Sequence, residues 1–313
     1  MGRAFVFPGQ GAQTIGMGRD LALAYPAARA VFEEVDAALG ESLSALVWEG
    51  DQEELTLTRN AQPALMATSM AVMAALQAEG VSVAAADFVA GHSLGEYSAL
   101  AAAGALTVTD AARLLRARGE AMQRAVAPGA GAMAAILGLG MEEVRAVAAE
   151  AAGAEVVEAA NDNDPAQVVI SGHAAGVARA VEIAKAKGAK RAVMLPVSAP
   201  FHCALMAPAA EEMAAALAEV AIRAPAVPVV ANVLAEGVRD PDRIRALLVE
   251  QITHSVRWRE SVAWMAEQGV TEFWEIGAGK ALSGMVRRIA KEAETRALLS
   301  PEDVAAAAES LRA

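Results

Sequence analysis

Gly91-His92-Ser93-Leu94-Gly95 places a serine between two glycines, directly after the apolar run Phe88-Val89-Ala90 and directly before an alanine-rich helical stretch. Gly-x-Ser-x-Gly at a strand-to-helix junction is the pattern of a nucleophile elbow. The glycines admit a tight turn, and the serine at its apex projects its hydroxyl outward. The first amides of the following helix have no intrahelical acceptor, so the N–H of Leu94 can receive negative charge developing on a bound carbonyl. The competing reading is a glycine-rich helix start; the flanking strand and helix favour the elbow. Acyl chemistry through a serine ester is the reaction such a turn supports, and lipases, esterases and transferases share it.

A serine nucleophile needs a base, and the chain has 4 histidines. His92 adjoins Ser93 inside the turn and cannot easily fold back onto it. His173 lies in a strand-to-helix turn, Gly172-His173-Ala174. His202, in Ala199-Pro200-Phe201-His202, follows a strand directly where the chain re-enters its larger part, and position favours it over His254. The neighbouring Cys203 reads as a lone buried thiol rather than half of a dyad.

A helix capped by Thr107 or Thr109 and running to about residue 126 carries the most informative charge. Leu114, Arg118 and Met122 are four apart and share a face with Ala111 and Leu115, while Arg113, Arg116, Glu120, Gln123 and Arg124 take the other. Arg118 therefore sits on the apolar stripe, where a guanidinium is costly unless it meets a carboxylate or phosphate. Its partner is either a protein Asp or Glu or an anionic substrate. Gln10, in Pro8-Gly9-Gln10-Gly11, falls at the carboxyl end of the first strand, where open α/β sheets build their sites. It is either a plain loop residue or a second oxyanion donor.

The elements that must hold these groups read as α/β. A first strand over 3–7 is expected to be central. Helices follow over 21–39 and 63–77, the second with Pro63 in its first turn and Asn60 as cap, and the elbow helix ends at Gly104. At Pro128-Gly129-Ala130-Gly131 the texture changes. Strand 133–137, helix 141–151, strands 156–160 and 167–171, helix 174–186 and strand 192–197 then form βαββαβ, the ferredoxin-like unit. The reading is a discontinuous larger domain, 1–127 and 198–313, with an inserted domain over 128–197. Asn161-Asp162-Asn163-Asp164-Pro165 lacks the spacing of a calcium loop and reads as a turn. Helices 208–220, 241–250 and 257–268 alternate with strands 227–232 and 272–276. Gly277-Ala278-Gly279-Lys280 is no Walker loop, because that pattern needs glycine at Trp274. Arg287, Arg288 and Lys291, and Lys185, Lys187, Lys190 and Arg191, are solvated surface or a landing place for phosphates or an acidic partner.

Composition narrows the classes. The 313 residues are 55% hydrophobic and 4% aromatic, enough for a sizeable core. Mean hydropathy is +0.33, yet the longest charge-free runs are broken by Pro63, Pro128 and glycines, so no transmembrane helix is expected. No signal peptide or myristoylation pattern opens the chain, and a cytoplasmic location is expected. A net charge of −12 argues against nucleic acid. One cysteine excludes an internal disulfide or a multi-cysteine metal site.

Taken together, Phe7-Pro8-Gly9-Gln10-Gly11, Gln62-Pro63-Ala64, Gly91 to Tyr97, Arg118-Gly119, Asn161-x-Asn163 with Gln167 to Gly172, Ala199-Pro200-Phe201-His202 and Glu275-Ile276-Gly277 resemble the malonyl-CoA:acyl-carrier-protein transacylases of bacterial fatty-acid synthesis. The resemblance covers nearly the whole chain. It implies an α/β-hydrolase-like large domain with a ferredoxin-like insert. It implies Ser93 as nucleophile, His202 as general base, the amides of Gln10 and Leu94 as oxyanion hole, and a backbone carbonyl at Gln251 orienting His202. Arg118 becomes the fork for the malonyl carboxylate, with Gln62, Asn161 and Phe201 beside the substrate. Leu94 and Phe201 imply malonyl over methylmalonyl. Coenzyme A thioester and acyl carrier protein are the implied partners, with no metal or other cofactor. Where the family often has proline before Val-Arg-Trp, this chain has Ser255.

Overall fold

The computed structural model describes residues 2–197 and 199–312. Ten strands are present among them: β1 (Gly2–Phe7), β2 (Phe88–Gly91), β3 (Gly131–Leu137), β4 (Val157–Asp164), β5 (Gln167–His173), β6 (Arg191–Met194), β7 (Val229–Val230), β8 (Gly237–Val238), β9 (Val270–Ile276) and β10 (Glu294–Leu298). They form a six-stranded sheet, β10-β9-β1-β2-β7-β8, and a four-stranded sheet, β4-β5-β3-β6. In the first, every pair is parallel except β7–β8. β1 lies inside it, and Ala4 to Phe7 are fully buried, as a strand covered on both faces by helices requires. The second sheet is wholly antiparallel. Its order and its two helices, Met141–Ala152 and Ala174–Ala186, are those of the ferredoxin-like unit, closed over a separate apolar cluster around Ile136, Val144, Ile170 and Val177.

Four expectations are corrected. The stretch 161–164 is not a turn but the end of β4, and only Pro165-Ala166 turn. Its acids are drawn into the strand by cations from the larger part: Arg259 reaches the buried Asp162 at 2.8 Å and Arg288 reaches Asp164 at 2.7 Å. Val256 completes this seam by donating to Ala160 O and accepting from the Asp162 N–H, both at 2.9 Å. The loop carrying Ser255 is thus pinned to β4 without a proline. The second correction concerns the helix expected to start at Pro63. It spans Thr58–Ala78, with Pro63 inside it, and Asn60 does not cap it but donates to Glu54 O and Oε1 at 2.9 Å. Third, the helix expected over 21–39 is two, Arg19–Ala24 and Pro26–Leu39, divided where Pro26 opens the second. Fourth, strand 227–232 contracts to the two residues of β7. Helices Leu43–Glu49 and Pro301–Arg312, and β10, add to the elements read from periodicity. Ser198, where the chain was expected to leave the insert, lies outside the described residues.

One close approach matters to the site. Helices Thr58–Ala78 and Val108–Arg124 meet at Gly119, where an added Cβ would stand 2.7 Å from Arg59 Cα and Thr58 O. Both obstacles are backbone, so a side chain there must part the helices that carry Gln62 and Arg118. Gly119→Ala is expected to cost about 1–3 kcal/mol, as overpacking does, read as a lower urea midpoint at unchanged slope. An unmoved midpoint would refute the close packing.

Candidate active site

The elbow is as tight as its glycines suggest. A Cβ on Gly91 would lie 1.9 Å from the Gly95 backbone, and one on Gly95 2.3 Å from Phe7 O. Ser93 is held at φ 52°, a left-handed conformation that a non-glycine residue keeps only when its surroundings impose it. Asn232 imposes it. Its Oδ1 accepts the Ser93 N–H at 2.8 Å, and its Nδ2 donates to Gly91 O at 2.7 Å, so one side chain bridges both arms of the turn.

His202 also has a positive φ, 58°, and its Nε2 stands 2.7 Å from Ser93 Oγ. Its Nδ1 is 2.9 Å from Gln251 O. A carbonyl can only accept, so Nδ1 carries the proton and Nε2 is left free to take one from the serine. Burial foremost, then the charge of Arg118, pushes the His202 pKa from 6.5 down to about 3.

Arg118 is 1% exposed. Nη1 donates to Gln62 Oε1 at 2.9 Å, and Nη2 to Gln251 Oε1 at 2.8 Å and Ser93 Oγ at 3.1 Å. Its face lies over the Tyr97 ring, 5.7 Å from the centroid. Every hydrogen-bond acceptor it meets is neutral, and it has no ion pair among the described residues. Behind Gln251, the buried Glu96 accepts from Gln251 Nε2 at 2.8 Å and from the Asn232 N–H at 3.0 Å, and burial pushes its carboxyl up to about 7.

Ser93, Arg118 and His202 open on one cavity of about 370 Å³, within the range of small-molecule sites. Gln10, Leu94, Gln62, Asn161 and Phe201 all line it. Gln10 and Leu94 are on the serine side, and neither backbone N–H has an acceptor among the described residues. Met133 of the second sheet and the segment after β6, Leu195 to Val197, line it as well. Gln251 stands behind the cavity rather than in it. Its role was expected of the backbone carbonyl alone. Its side chain, together with Glu96 and Asn232, escaped sequence reasoning; the signal available for Glu96 was a carboxylate directly after the elbow, in a helix with no polar face.

The other singled-out residues have structural engagements. His92 Nε2 pairs with Asn163 Oδ1 at 2.8 Å, His173 Nδ1 accepts the Val156 N–H at 2.9 Å, and His254 is exposed beside Glu250 O. Cys203 is buried and donates to Pro200 O. After Gly277-Ala278-Gly279-Lys280, the helix N-terminus that a phosphate would need is filled by Glu275, which accepts from the Leu282 and Ser283 amides. Lys185 and Lys187 pair with Glu182 and Glu150.

An elbow serine already bonded to a carbonyl-oriented base is a site for moving an acyl group through a serine ester. The acyl transferase domain family matches residues 4–307, and the chain belongs to it. The malonyl CoA-acyl carrier protein transacylase of Bacillus subtilis is 48% identical over 310 residues, covering 99% of this chain and 97% of that protein. An acyl-carrier-protein-S-malonyltransferase from Bartonella henselae has the same fold, with a TM-score of 0.98, 54% identity and 100% of each chain covered. A malonyl-transacylase solved in complex with its type II PKS acyl-carrier protein gives a TM-score of 0.96 at 43% identity, over 99% of this chain and 100% of that one.

The depressed pKa of His202 has a kinetic consequence. An ordinary imidazole at pH 5 would be protonated and the acylation rate cut about thirtyfold from its plateau, whereas His202 stays neutral there. Single-turnover formation of the Ser93 ester is therefore expected to hold nearly constant from pH 7 to pH 5. A midpoint near the ordinary histidine value would contradict the burial argument. For stability the signs oppose. From 6.5 down to about 3 the unfolded chain gains a His202 proton that the fold refuses; from 4.5 up to about 7 the fold keeps a Glu96 proton that the unfolded chain has lost. The first withdraws stability as pH falls, the second as pH rises, and between 4.5 and 6.5 they offset.

Proposed function

We propose that this chain is a malonyl-CoA:acyl-carrier-protein S-malonyltransferase and that Arg118 reads the malonyl carboxylate. The observation that carries this is a buried guanidinium 3.1 Å from the nucleophile with only neutral acceptors. A charge so placed needs an anion, and a short acyl group on Ser93 that ends in a carboxylate supplies one within reach of a bidentate fork.

The reaction is ping-pong. Ser93 Oγ attacks the thioester carbon of malonyl-CoA as its proton passes to His202 Nε2. The amides of Gln10 and Leu94 take the oxyanion, the C–S bond breaks, and the leaving thiolate recovers the proton from His202. The phosphopantetheine thiol of acyl carrier protein then gives its proton to His202 and attacks the Ser93 ester; the acyl C–O bond breaks, and His202 returns the proton to Ser93 Oγ. Gln62 keeps Arg118 in place, Asn161 offers an amide to the thioester side, and Phe201 crowds a branched acyl group. Apolar walls from Met133, Leu195 and Phe201 make water a poor acceptor, so the ester outlasts the departure of coenzyme A. The residues need no metal or other cofactor for these steps. We read 128–197 as the inserted domain and 1–127 with 198–313 as the catalytic one. No helix of the described residues is long and apolar enough to cross a membrane, and a cytoplasmic setting suits a site fed by coenzyme A thioesters.

Intact mass after exposure to malonyl-, methylmalonyl- or acetyl-CoA tests the reading. A malonyl adduct is expected on the native chain and none on Ser93→Ala. Arg118→Ala is expected to lower malonyl kcat/KM at least a hundredfold, the loss of about 3 kcal/mol of charge-assisted bonding, while acetyl loading is retained or raised. Equal losses for both acyl groups would remove Arg118 from carboxylate recognition.

A further inference from the structure

Gln251 reaches the site with an amide whose oxygen and nitrogen have nearly the same shape, so packing does not determine which faces Arg118. Its partners do. Oε1 meets Arg118 Nη2, while Nε2 faces three acceptors: Glu96 Oε2 at 2.8 Å, Ser93 O at 3.0 Å and Asn232 Oδ1 at 3.2 Å. Two N–H groups thus serve three oxygens, and Glu96 is both the nearest and the only one on a carboxyl group. The same Glu96 oxygen accepts the Asn232 backbone N–H, and Asn232 is the clamp of the elbow. Glu96 is 2% exposed, in the first turn of helix Gly95–Ala102. A buried carboxyl is expensive, and the catalytic steps above make no use of it.

We infer that Glu96 is a positioning residue: one of its oxygens anchors the Gln251 amide and the Asn232 backbone, and so keeps Gln251 Oε1 on Arg118. Without that acceptor the Gln251 amide loses its strongest restraint, and a turned amide would set N–H groups against the guanidinium. Arg118 would then leave the position in which it meets the acyl carboxylate. The effect falls on charge reading, so this inference rests on the proposed role of Arg118.

The readout is the ratio of kcat/KM for malonyl-CoA to that for acetyl-CoA. A smaller folded fraction lowers both and leaves the ratio unchanged, so a merely structural role would not move it. Glu96→Met keeps the volume and removes the acceptor; Glu96→Asp keeps the charge and withdraws the oxygens by one methylene, which serves should the Met variant not fold. Each is expected to lower the ratio about tenfold, the worth of one buried hydrogen bond whose donor is left without its acceptor. Glu96→Gln retains an oxygen for both donors and is expected to stay within about twofold of the native ratio. A native ratio in either the Met or the Asp variant when folded overturns the inference, and so does a loss in Glu96→Gln matching theirs. If Arg118→Ala itself keeps the native ratio, the reading of Arg118 falls and this inference with it. A collapsed ratio in Arg118→Ala beside intact Glu96 variants overturns the role of Glu96 alone.

Discussion

A guanidinium buried to 1% exposure and held by glutamine and serine oxygens is the constraint on which the rest of the site depends. Burying an unpaired charge costs far more than any one hydrogen bond returns. The cost is tolerated because the elements that place Arg118 also surround it with oriented dipoles. Gln62 comes from the long helix that Gly119 allows to approach, Gln251 from the end of helix Pro241–Glu250, and Ser93 from the elbow. Neutral acceptors fix the fork without cancelling its charge. A glutamate in the place of either glutamine would form an internal ion pair and fill the position that an acyl carboxylate needs.

The same charge acts on the base. Burial and the field of Arg118 both oppose a proton on His202, so an imidazolium is unfavourable there. A substrate carboxylate on Arg118 would cancel much of that field and make proton transfer from Ser93 easier at the moment when the correct acyl group is in place. On the proposed reading of Arg118, recognition and activation are coupled through one side chain. An acetyl group leaves the field standing, and this discriminates by rate as well as by binding.

Much of this arrangement was legible in the sequence because it rests on local pattern. The elbow is a strand, two glycines and a helix in ten residues; Arg118 betrays itself by helical period; the βαββαβ unit has alternating elements of ordinary length. Resemblance supplied Gln251, which no local signal marks, and chose between the two readings that the first turn leaves open for Gln10. What stayed hidden depends on distant partners. Pro63 sits inside a helix because the turn before it is engaged by other segments: Gln123 accepts the Arg59 N–H, Asn60 donates to Glu54 and Arg118 donates to Gln62. Asp162 and Asp164 read as turn residues because the cations that pair with them, Arg259 and Arg288, are about a hundred residues away in the chain. Glu96, Asn232 and the side chain of Gln251 form a network assembled from three separate segments, and only folding brings it together.

The Gln251 carbonyl beside His202 Nδ1 shows what a neutral partner allows in this site. A carboxylate at the position of the Gln251 carbonyl would orient His202 and stabilise its imidazolium, as an acid does in many serine enzymes. In this site it would also lie on the residue that carries Oε1 to Arg118, within the field of the guanidinium, and would compete with the substrate for that charge. A peptide carbonyl fixes the tautomer without competing. The nearby carboxyl that the site does hold, Glu96, is kept one amide away and faces N–H groups rather than the guanidinium. On the proposed reading, catalysis gives up the stronger base that an acid partner would provide, and Arg118 keeps its charge for the substrate.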